Sequence, residues 1–337
     1  MKPKLSIAIP VYNFANFLPE TLDSILDQDE VNEIEIVILD GASTDETPSL
    51  IASYKQRFTN LKYIRRSVRG GIDRDMAEAV ASSSGDYVWL FSGDDWILPG
   101  ALGKLLARID YKASLYLTRH LEWRDYEQDW VVWPTVEAEE AEVFDLSNSR
   151  ARKDYFSRAQ NTEAFFSFIG GIVVHRELWQ SISINEVFVG SCWAHSARLF
   201  ELMPRGLTVC VLNEAYLKRR PDNDSFGSAG FVARYRLTID GFIQIVDHYY
   251  GRASIEAREI RRVLRVEYHP LAMMLGKFLC SLNPDKEDQA LLDRLFDSIY
   301  GEWSLECLGA RLNYMFTSPR RFRRLQPVLS AKYEQKS

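Results

Sequence analysis

Apolar and polar positions alternate in blocks along roughly the first hundred residues. Short apolar runs at 5–11 (LSIAIPV), 34–39 (IEIVIL), 61–65 and 86–91 are rich in β-branched and aromatic residues and predict four strands. Apolar residues recur at helical spacing over 16–28, and similar stretches follow the second and third runs. Strands that alternate with helices form parallel sheets covered on both faces. The pattern therefore predicts an α/β fold with a mostly parallel sheet flanked by helices.

Two helix starts are marked by turn residues. After the second strand, Ser43 or Thr44 is the expected N-cap and Pro48 the first-turn residue of the second helix. The third helix is expected from about 71 to 82. Before it, Gly70–Gly71 allow the backbone to approach a ligand closely, and a helix N-terminus favours phosphate.

The alternation becomes less regular beyond residue 112. A strand is expected at 114–119, and long stretches of helical apolar spacing after residue 231 predict a mainly helical C-terminal region. We expect a first domain in two halves, followed by the helical region. Their expected bounds are 1–230, divided at about 1–112 and 113–230, and then 231–337.

Composition narrows the classes of partner. The chain has 41 Lys and Arg against 47 Asp and Glu, so it is mildly acidic, which argues against bulk binding of nucleic acid. Its four scattered cysteines lack the spacing of a zinc site or a disulfide framework, which fits a reducing cytoplasm. No segment approaches the ~18 uncharged apolar residues of a membrane span. We expect a cytoplasmic protein, soluble or peripheral at the inner face of the cell membrane.

The last twenty residues have the opposite charge to the rest of the chain. Residues 318–337 (SPRRFRRLQPVLSAKYEQKS) carry six Lys or Arg and one Glu. Such a segment is attracted to anionic lipid headgroups. A solvated terminal helix or an oligomer contact is the alternative.

Polar side chains follow each of the four predicted strands. In parallel sheets, ligands bind outside the carboxyl ends of the strands, so these side chains predict one site. Two adjacent carboxylates are costly to bury unless a cation or hydrogen bonds meet them. The residues concerned are Tyr12, Asn13, Asp40, Arg65, Arg66, Ser92, Asp94 and Asp95.

Three other chemistries of parallel sheets do not match. The loop after the first strand has no glycine, which excludes a G-x-G-x-x-G dinucleotide site, and the chain has no P-loop G-K-[ST]. The segment ILDGAST looks like the D-x-D-G of aspartate-nucleophile phosphatases. The nucleophile position there is Ile38, so that interpretation fails.

Three segments together resemble the inverting glycosyltransferases of family 2, which have the nucleotide-diphospho-sugar-binding GT-A fold. They are SIAIPVYNFANFLPETLDSIL, EIEIVILDGASTDET and GDYVWLFSGDDWILPGAL, in the family's order. The resemblance covers roughly 4–110 clearly and 165–230 weakly. The segments GGIDRDMAEAVASSSGDYVWLFSGDDW and FVGSCWAH are also similar to transferases that add dideoxyhexoses such as abequose in O-antigen assembly.

The resemblance implies roles for residues at the strand ends. Asp40 and Tyr12 would contact the nucleobase, Asp94 the ribose side, and Asp95 a divalent cation, Mn²⁺ or Mg²⁺, that holds the diphosphate. Carboxylates suit such hard ions. The donor-binding residues implied are Pro10, Tyr12, Asn13, Asp40, Arg74, Asp75, Asp94, Lys218, Arg219 and Arg220, and the metal ligands are Asp95 and Asp94.

Alternatives stay open at this point. Ser92 stands where the family often has a further aspartate. Taken singly, Asp40 caps a turn, and Asp94 and Asp95 cap a helix near Pro99. The segment 216–230 (YLKRRPDNDSFGSAG) is either a basic lid over the diphosphate or a mobile surface loop.

The catalytic base is not visible where the family places an acidic pair, because Ser191 and Cys192 occupy those positions. His195 is our first choice, since histidine accepts protons near neutral pH, and Glu186 and Asp224 are the others. A histidine packed beside Trp193 for stability is equally compatible with the sequence.

The resulting hypothesis is a metal-dependent inverting glycosyltransferase. Its expected partners are a nucleotide-diphospho-sugar and a glycan acceptor, lipid-linked and belonging to O-antigen or another bacterial surface polysaccharide. The alternatives are a nucleotide-sugar hydrolase or nucleotidyltransferase, and a non-catalytic nucleotide-sugar-binding module.

Overall fold

A computed structural model describes residues 2–110, 112–125, 128–221, 223, 229–283 and 287–316. The chain divides into two compact units. The first comprises Met1–Trp123 and Asp129–Asn223, and the second comprises Arg124–Gln128 and Asp224–Ser337. The boundaries that we expect at residues 112 and 230 remain predictions.

The first unit contains the sheet and seven helices of the described chain. Its strands are β1 Leu5–Val11, β2 Glu35–Asp40, β3 Leu61–Arg65, β4 Tyr87–Leu90, β5 Trp96–Ile97, β6 Leu115–Arg124, β7 Asp129–Val132, β8 Glu142–Asp145, β9 Ile172–His175 and β10 Thr208–Lys218. Its helices are α1 Leu18–Leu26, α2 Thr47–Arg57, α3 Ile72–Ala81, α4 Ala101–Arg108, α5 Ser149–Ser157, α6 Arg176–Gln180 and α7 Ala194–Leu202. Short 3₁₀ turns occupy Val31–Glu33, Thr162–Phe165, Ile169–Gly171, Glu186–Phe188 and Met203–Arg205.

One mixed sheet runs through this unit in the order β3-β2-β1-β4-β9-β6-β10-β5, with β7 paired to β6 and β8 to β10. The first four strands pair with one another in parallel, as the alternating pattern predicts. Strand β9 is antiparallel to both β4 and β6, and β10 is parallel to β6 but antiparallel to β5. The carboxyl ends of β1 to β4 therefore meet at one edge, next to β5 and the end of β10.

The central strands are apolar because both faces of the sheet are covered. Every residue of β1 is buried, and β4 is buried throughout. Side chains of β1, β2 and β4 pack with the apolar faces of α1 and α4 in one core. Continuous apolar runs of this kind are expected for strands buried on both faces.

The four early strands and the helices between them are confirmed, but two local predictions are wrong. Helix α2 begins at Thr47, and neither Ser43 nor Thr44 caps it. Both residues form hydrogen bonds with Asn13 instead. The Asn13 N–H donates to the Ser43 hydroxyl, and the Thr44 N–H donates to the Asn13 side chain. Residues 216–218 are not loop but the end of β10, where Lys218 pairs with Trp96 and Leu121.

The C-terminal part of the second unit is helical over its described residues, which confirms the helical C-terminal region. Its helices are α8 Phe231–Tyr249, α9 Ile255–Glu267, α10 Pro270–Leu282, α11 Gln289–Tyr300 and α12 Leu305–Phe316. Tyr314 fixes α12 to α11, because its ring stacks on Phe296 at a centroid distance of 3.9 Å and its hydroxyl donates to Asp293 at 2.6 Å. The basic segment 318–337 lies outside the described residues. Across the described ranges, no helix is both long enough and apolar enough to cross a bilayer.

Candidate functional site

The loops after β1 and β2 are joined by side-chain hydrogen bonds. The carbonyl oxygen of the Asn13 side chain accepts from Thr44 N–H at 2.8 Å, and Phe14 N–H donates to the Thr47 hydroxyl at 2.9 Å. Asn13 adopts a left-handed backbone conformation with φ 59°, which asparagine tolerates better than most residues. Together these contacts hold Tyr12 and Asn13 at the strand edge, where both are predicted to meet the donor. Pro10 lies buried within β1 just before them.

Asp40 is completely buried at the end of β2 and has an internal partner on each oxygen. Ser43 N–H donates to Oδ1 at 2.7 Å, and the Tyr63 hydroxyl donates to Oδ2 at 2.7 Å. The Arg65 guanidinium lies 3.6 Å from the same Oδ2. Burial and the hydrogen bond to Asp40 raise the pKa of Tyr63, so its hydroxyl remains a donor. Asp40 thus organises the turn and the adjacent strand end.

Cations line the neighbouring strand end. The Arg69 guanidinium lies over the Tyr12 ring, 4.0 Å from its centroid, a cation–π arrangement. Beside it, Arg65, Arg66, Ser67, Val68 and Glu78 line an open cavity of about 360 Å³. Tyr12 therefore already offers a face on which a planar cation stacks.

The first turn of α3 brings Asp75 against the loop after β2. Arg66 Nη1 donates to Asp75 Oδ1 at 3.0 Å, while burial raises the pKa of this carboxyl. The approach requires two glycines. A Cβ on Gly41 would lie 2.5 Å from Asp75 Oδ2, and one on Gly70 would lie 2.6 Å from Oδ1. Larger residues at either position would displace the carboxylate.

The adjacent carboxylates at the end of β4 are both buried. Asp94 accepts from the Ser92 hydroxyl and, at 2.7 Å, from the Asn223 side-chain amide. Asp95 Oδ1 accepts from Arg220 N–H at 2.9 Å. Among the described residues, no Lys or Arg side chain forms an ion pair with either carboxylate. In the part of the chain that the structure describes, neutral donors make the direct contacts to this pair, and the charge of Arg219 acts on Asp95 only from a distance.

The surroundings of Asp95 raise its pKa and make it a weaker acid. Burial, followed by the charge of Asp94, raises the pKa of Asp95 to about 7. The Arg220 N–H, Arg219 and His120 oppose this rise. A bound cation would lower the pKa of Asp95 again, because it stabilises the charged carboxylate directly.

Arg220 is directed away from the carboxylates. Its Nη2 donates to Glu20 at 2.7 Å and its Nε to the Asp94 backbone carbonyl at 2.9 Å. The guanidinium lies over the Trp96 ring at 4.1 Å, and Trp96 Nε1–H donates to Glu20 at 3.0 Å. This network fixes the segment after β10, and it brings in Glu20, a residue without a recognisable motif in the sequence.

The other two predicted basic residues have acidic or aromatic partners. Lys218 Nζ lies 5.0 Å from the Trp130 ring centroid, and Arg219 Nη1 pairs with Glu122 at 3.2 Å. Glu122 Oε2 also lies 3.1 Å from His120 Nε2. Lys218, Arg219 and Arg220 are thus held next to the acidic pair by neighbouring elements.

His120 is a buried residue that the motif search missed. Its Nε2 faces Glu122, its Nδ1 lies 3.4 Å from Glu163 Oε2, and its ring packs on Phe168 at 4.5 Å. The pattern His-x-Glu on one face of a strand is a usable signal. We expected the strand only to residue 119, whereas β6 continues to Arg124.

Asp73 clamps the loop before α7. Its Oδ2 accepts from Gly190 N–H at 2.7 Å and Cys192 N–H at 3.1 Å, and its Oδ1 accepts from Ala194 N–H at 3.1 Å. Gly190 and Cys192 both have positive φ, 88° and 68°. The first turn of α3 therefore holds the segment in which relatives were expected to carry an acidic pair.

His195 is buried in the first turn of α7. Its Nε2 lies 3.0 Å from the Phe166 carbonyl, and its ring is 6.1 Å from that of Trp193. Burial lowers the pKa of His195, although the charge of Asp73 and the Phe166 carbonyl act in the opposite direction. The ring is therefore neutral near pH 7.

Arg74 and Glu186 contact each other at the protein surface. Arg74 forms a two-pronged ion pair with Glu186, with nitrogen–oxygen distances of 3.2 and 2.7 Å. Both are substantially exposed, so two residues to which we gave separate roles contact each other. Asp224 lies outside the described residues.

The oxygen ligands present fit a divalent cation. In the described ranges, no three or more His, Cys, Asp or Glu residues are grouped as a metal-binding cluster. Asp94 and Asp95 supply two carboxylates that form no ion pair with a Lys or Arg in those ranges. Magnesium-type ions are commonly held by one or two carboxylates plus substrate phosphates, which matches this arrangement.

Comparison with known proteins gives consistent results. The family model "Glycosyl transferase family 2" matches residues 6–178. The abequosyltransferase RfbV of Salmonella typhimurium is 28% identical over 283 residues, covering 80% of this chain and 83% of the relative. A Campylobacter jejuni GalNAc(5)-diNAcBac-PP-undecaprenol beta-1,3-glucosyltransferase is 29% identical over 32% of this chain and 34% of its own.

Solved structures show the same fold. Residues 1–349 of S. aureus TarS in complex with UDP-GlcNAc superpose with a TM-score of 0.60 at 18% identity, covering 88% of this chain and 81% of that one. The mannosyltransferase PcManGT of Pyrobaculum calidifontis, in complex with GDP-Man and Mn²⁺, gives 0.54 at 18% identity, with coverages of 100% and 87%. These neighbours confirm the predicted GT-A fold. The motifs, the sheet and the family match over half of the chain lead to one conclusion: the protein belongs to glycosyltransferase family 2.

Proposed function

We propose that this glycosyltransferase transfers a sugar with inversion from a nucleotide-diphospho-sugar to a glycan hydroxyl, and that the transfer depends on a divalent cation, Mn²⁺ or Mg²⁺. The observation that carries the proposal is the buried pair Asp94 and Asp95, which among the described residues has neutral hydrogen-bond donors and no ion-paired Lys or Arg. A cation bound there would hold the diphosphate and stabilise the charge of the leaving nucleoside diphosphate.

The donor-binding residues in this proposal surround that pair. Tyr12 and Asn13 border the nucleoside, and Asp40 shapes the turn that receives the base. Asp75 and Arg74 stand at the N-terminus of α3, where backbone N–H groups favour phosphate. Lys218, Arg219 and Arg220 border the site at the end of β10. Their positive charge stabilises the negative charge that develops on the leaving group.

His195 is the proposed base. A neutral imidazole accepts the proton of the acceptor hydroxyl. At the same time the hydroxyl oxygen forms a bond to the anomeric carbon of the sugar, and the bond between that carbon and the diphosphate oxygen breaks. The lowered pKa supports a neutral ring, and Asp73 lies close enough to favour the imidazolium that forms. Glu186 and Asp224 remain the other candidates; the ion pair of Glu186 with Arg74 counts against it.

We further propose that the acceptor is a lipid-linked intermediate of O-antigen or another bacterial surface polysaccharide, and that the sugar is a dideoxyhexose such as abequose. The extent of the match to RfbV supports the sugar, and the undecaprenol-linked substrate in the name of the Campylobacter relative supports the acceptor class. The enzyme would then act in the cytoplasm at the inner face of the membrane.

Turnover of radiolabelled donors with and without a lipid-linked acceptor tests the function. Transfer to the acceptor is the expected result. Release of free sugar alone would indicate a hydrolase, and no turnover together with tight donor binding would indicate a binding module. A thermal-shift panel of UDP, CDP, GDP and dTDP, each with and without Mn²⁺, identifies the nucleobase, because a ligand that binds only the folded state raises its stability.

A further inference from the structure

Helix α12 has apolar side chains on two opposite sides. One side packs into the second unit through Cys307, Ala310 and Tyr314, which are buried. On the other side are large apolar residues whose exposed fractions range from 46% to 91%: Leu305, Leu308, Leu312, Met315 and Phe316. At 100° per residue these five fall within an arc of about 100°, nearly opposite the buried three. We call them the outer stripe of α12.

Other large apolar residues of the second unit are exposed as well. Trp303, just before α12, is 97% exposed. On α10, which packs against α12, Leu271, Leu275 and Leu282 are also exposed. Soluble proteins rarely expose large apolar residues in such continuous sets unless the surface binds a partner.

The sequence that follows α12 indicates the chemistry of the partner. Within a few residues of Phe316 the chain has Arg320, Arg321, Arg323 and Arg324, in a protein with a net charge of −6. Basic residues beside an amphipathic helix are attracted to anionic lipid headgroups, while its apolar side chains and aromatic rings enter the boundary with the acyl chains. One such signal alone gives weak, reversible binding, whereas two give stable anchoring.

We propose that the outer stripe of α12 is a docking surface for an anionic phospholipid membrane. The choice of a membrane rests on charge, because the sequence that follows α12 is basic and basic residues are attracted to a negative bilayer surface. The proposal extends the lipid-linked acceptor suggested above and does not depend on any transfer reaction.

Co-flotation of the full chain with vesicles tests the proposal without donor or acceptor. We expect binding to vesicles of 30% phosphatidylglycerol in phosphatidylcholine, weaker binding in 0.5 M NaCl, and little binding to pure phosphatidylcholine. The triple variant L308Q/L312Q/M315Q should reduce the partition coefficient at least tenfold. Replacing the four arginines by Gln should reduce it roughly 1,000-fold.

A matched control keeps the apolar test specific. V132Q/V143Q/V266Q changes three exposed valines outside α10 and α12 and should bind like the parent. A second measurement needs no change in the stripe: brominated lipids should quench Trp303, and the quenching should largely disappear in W303F. Equal binding by parent and stripe variant, or no quenching of Trp303, would overturn the proposal.

Other occupants give different results. If light scattering shows an oligomer that the stripe variant converts to monomers, and the parent does not float with vesicles, a second copy covers the stripe and the proposal is wrong. If the stripe variant loses thermal stability in the absence of vesicles and neither protein floats, the chain itself covers the stripe, which also overturns it. Failure of vesicle binding leaves the transfer proposal intact, because turnover of the radiolabelled donor with its acceptor is measured separately and without vesicles.

Discussion

Replacement of Asp95 by Asn should stabilise the metal-free protein and abolish transfer. The burial of Asp95 raises its pKa from 3.8 to about 7, a difference that corresponds to about 4 kcal/mol. The side chain is only 3% exposed, so solvent screens little of this cost. Asparagine retains the shape and the acceptor for Arg220 N–H but cannot ionise.

The pH dependence of this stabilisation follows from the number of protons bound in the folded and unfolded states. Between pH 3.8 and about 7 the unfolded chain has released this proton while the folded chain retains it. Rising pH therefore favours unfolding through this window, and the effect is complete above the folded pKa. The advantage of the Asn variant should be about 2 kcal/mol at pH 5.5 and about 4 kcal/mol at pH 8.

Urea unfolding in EDTA, followed by tryptophan fluorescence at both pH values, measures this difference. Mn²⁺ should then stabilise the parent and not the variant, and transfer by the variant should be undetectable. Asp110→Asn is the control: hydrogen bonding to Lys112 lowers the pKa of Asp110 to about 2, so its loss should not stabilise the protein at pH 8. A gain for Asp95→Asn that is the same at both pH values would refute the titration argument. Full metal-dependent activity would refute the metal assignment.

Four further outcomes are expected. Asp40→Ala should weaken nucleoside diphosphate binding and raise the donor KM more than it lowers kcat, since its contacts shape the ground-state pocket; an effect confined to kcat would contradict this. His195→Ala should lower kcat roughly 100-fold with little change in donor affinity or Tm, and a parallel loss of stability would indicate a packing role instead. Gly41→Ala should cost about 1–3 kcal/mol in a denaturant titration, because its Cβ would meet Asp75 Oδ2 at 2.5 Å, and an unchanged midpoint would show that the carboxylate yields easily. Asp73→Asn should lower stability by about 2 kcal/mol and raise the acceptor KM while donor KM is kept, which Asp73→Glu should partly rescue; equal effects on both KM values would mean that the clamp is only structural.

The local order of the first ninety residues was readable because each element carries its own signal. Strand β1 coincides with its apolar run, and α3 begins directly after the glycine pair. The predicted N-cap of α2 is wrong because Ser43 and Thr44 form hydrogen bonds with Asn13, about thirty positions earlier in the sequence. A local propensity was overridden there by a tertiary partner.

The site was only partly predictable for the same reason. Asp94 and Asp95 stand out as a motif, yet the donor that meets Asp95 is a backbone N–H at residue 220, which no side-chain pattern marks. The carboxylate of Asp73 is 117 to 121 residues from the N–H groups that it holds. His120 and Glu163 become neighbours only because β6 continues past residue 119. Contacts of this kind depend on the register of the whole sheet, which hydrophobic periodicity does not specify.

The distance along the chain between Asp95 and Arg220 has a consequence for synthesis. Strands β1 to β4 pair among themselves and are complete by residue 90, whereas the N–H that meets Asp95 is made 125 residues after it. At about 5–20 residues per second a ribosome needs about 6 to 25 seconds to cover that interval. During this time the nascent chain can pair the strands of the parallel sheet, while Asp95 has not yet met its backbone donor. A polypeptide released before residue 220 would therefore contain the residues of the four parallel strands and the acidic pair, but it would lack the N–H group that holds Asp95 in the finished site.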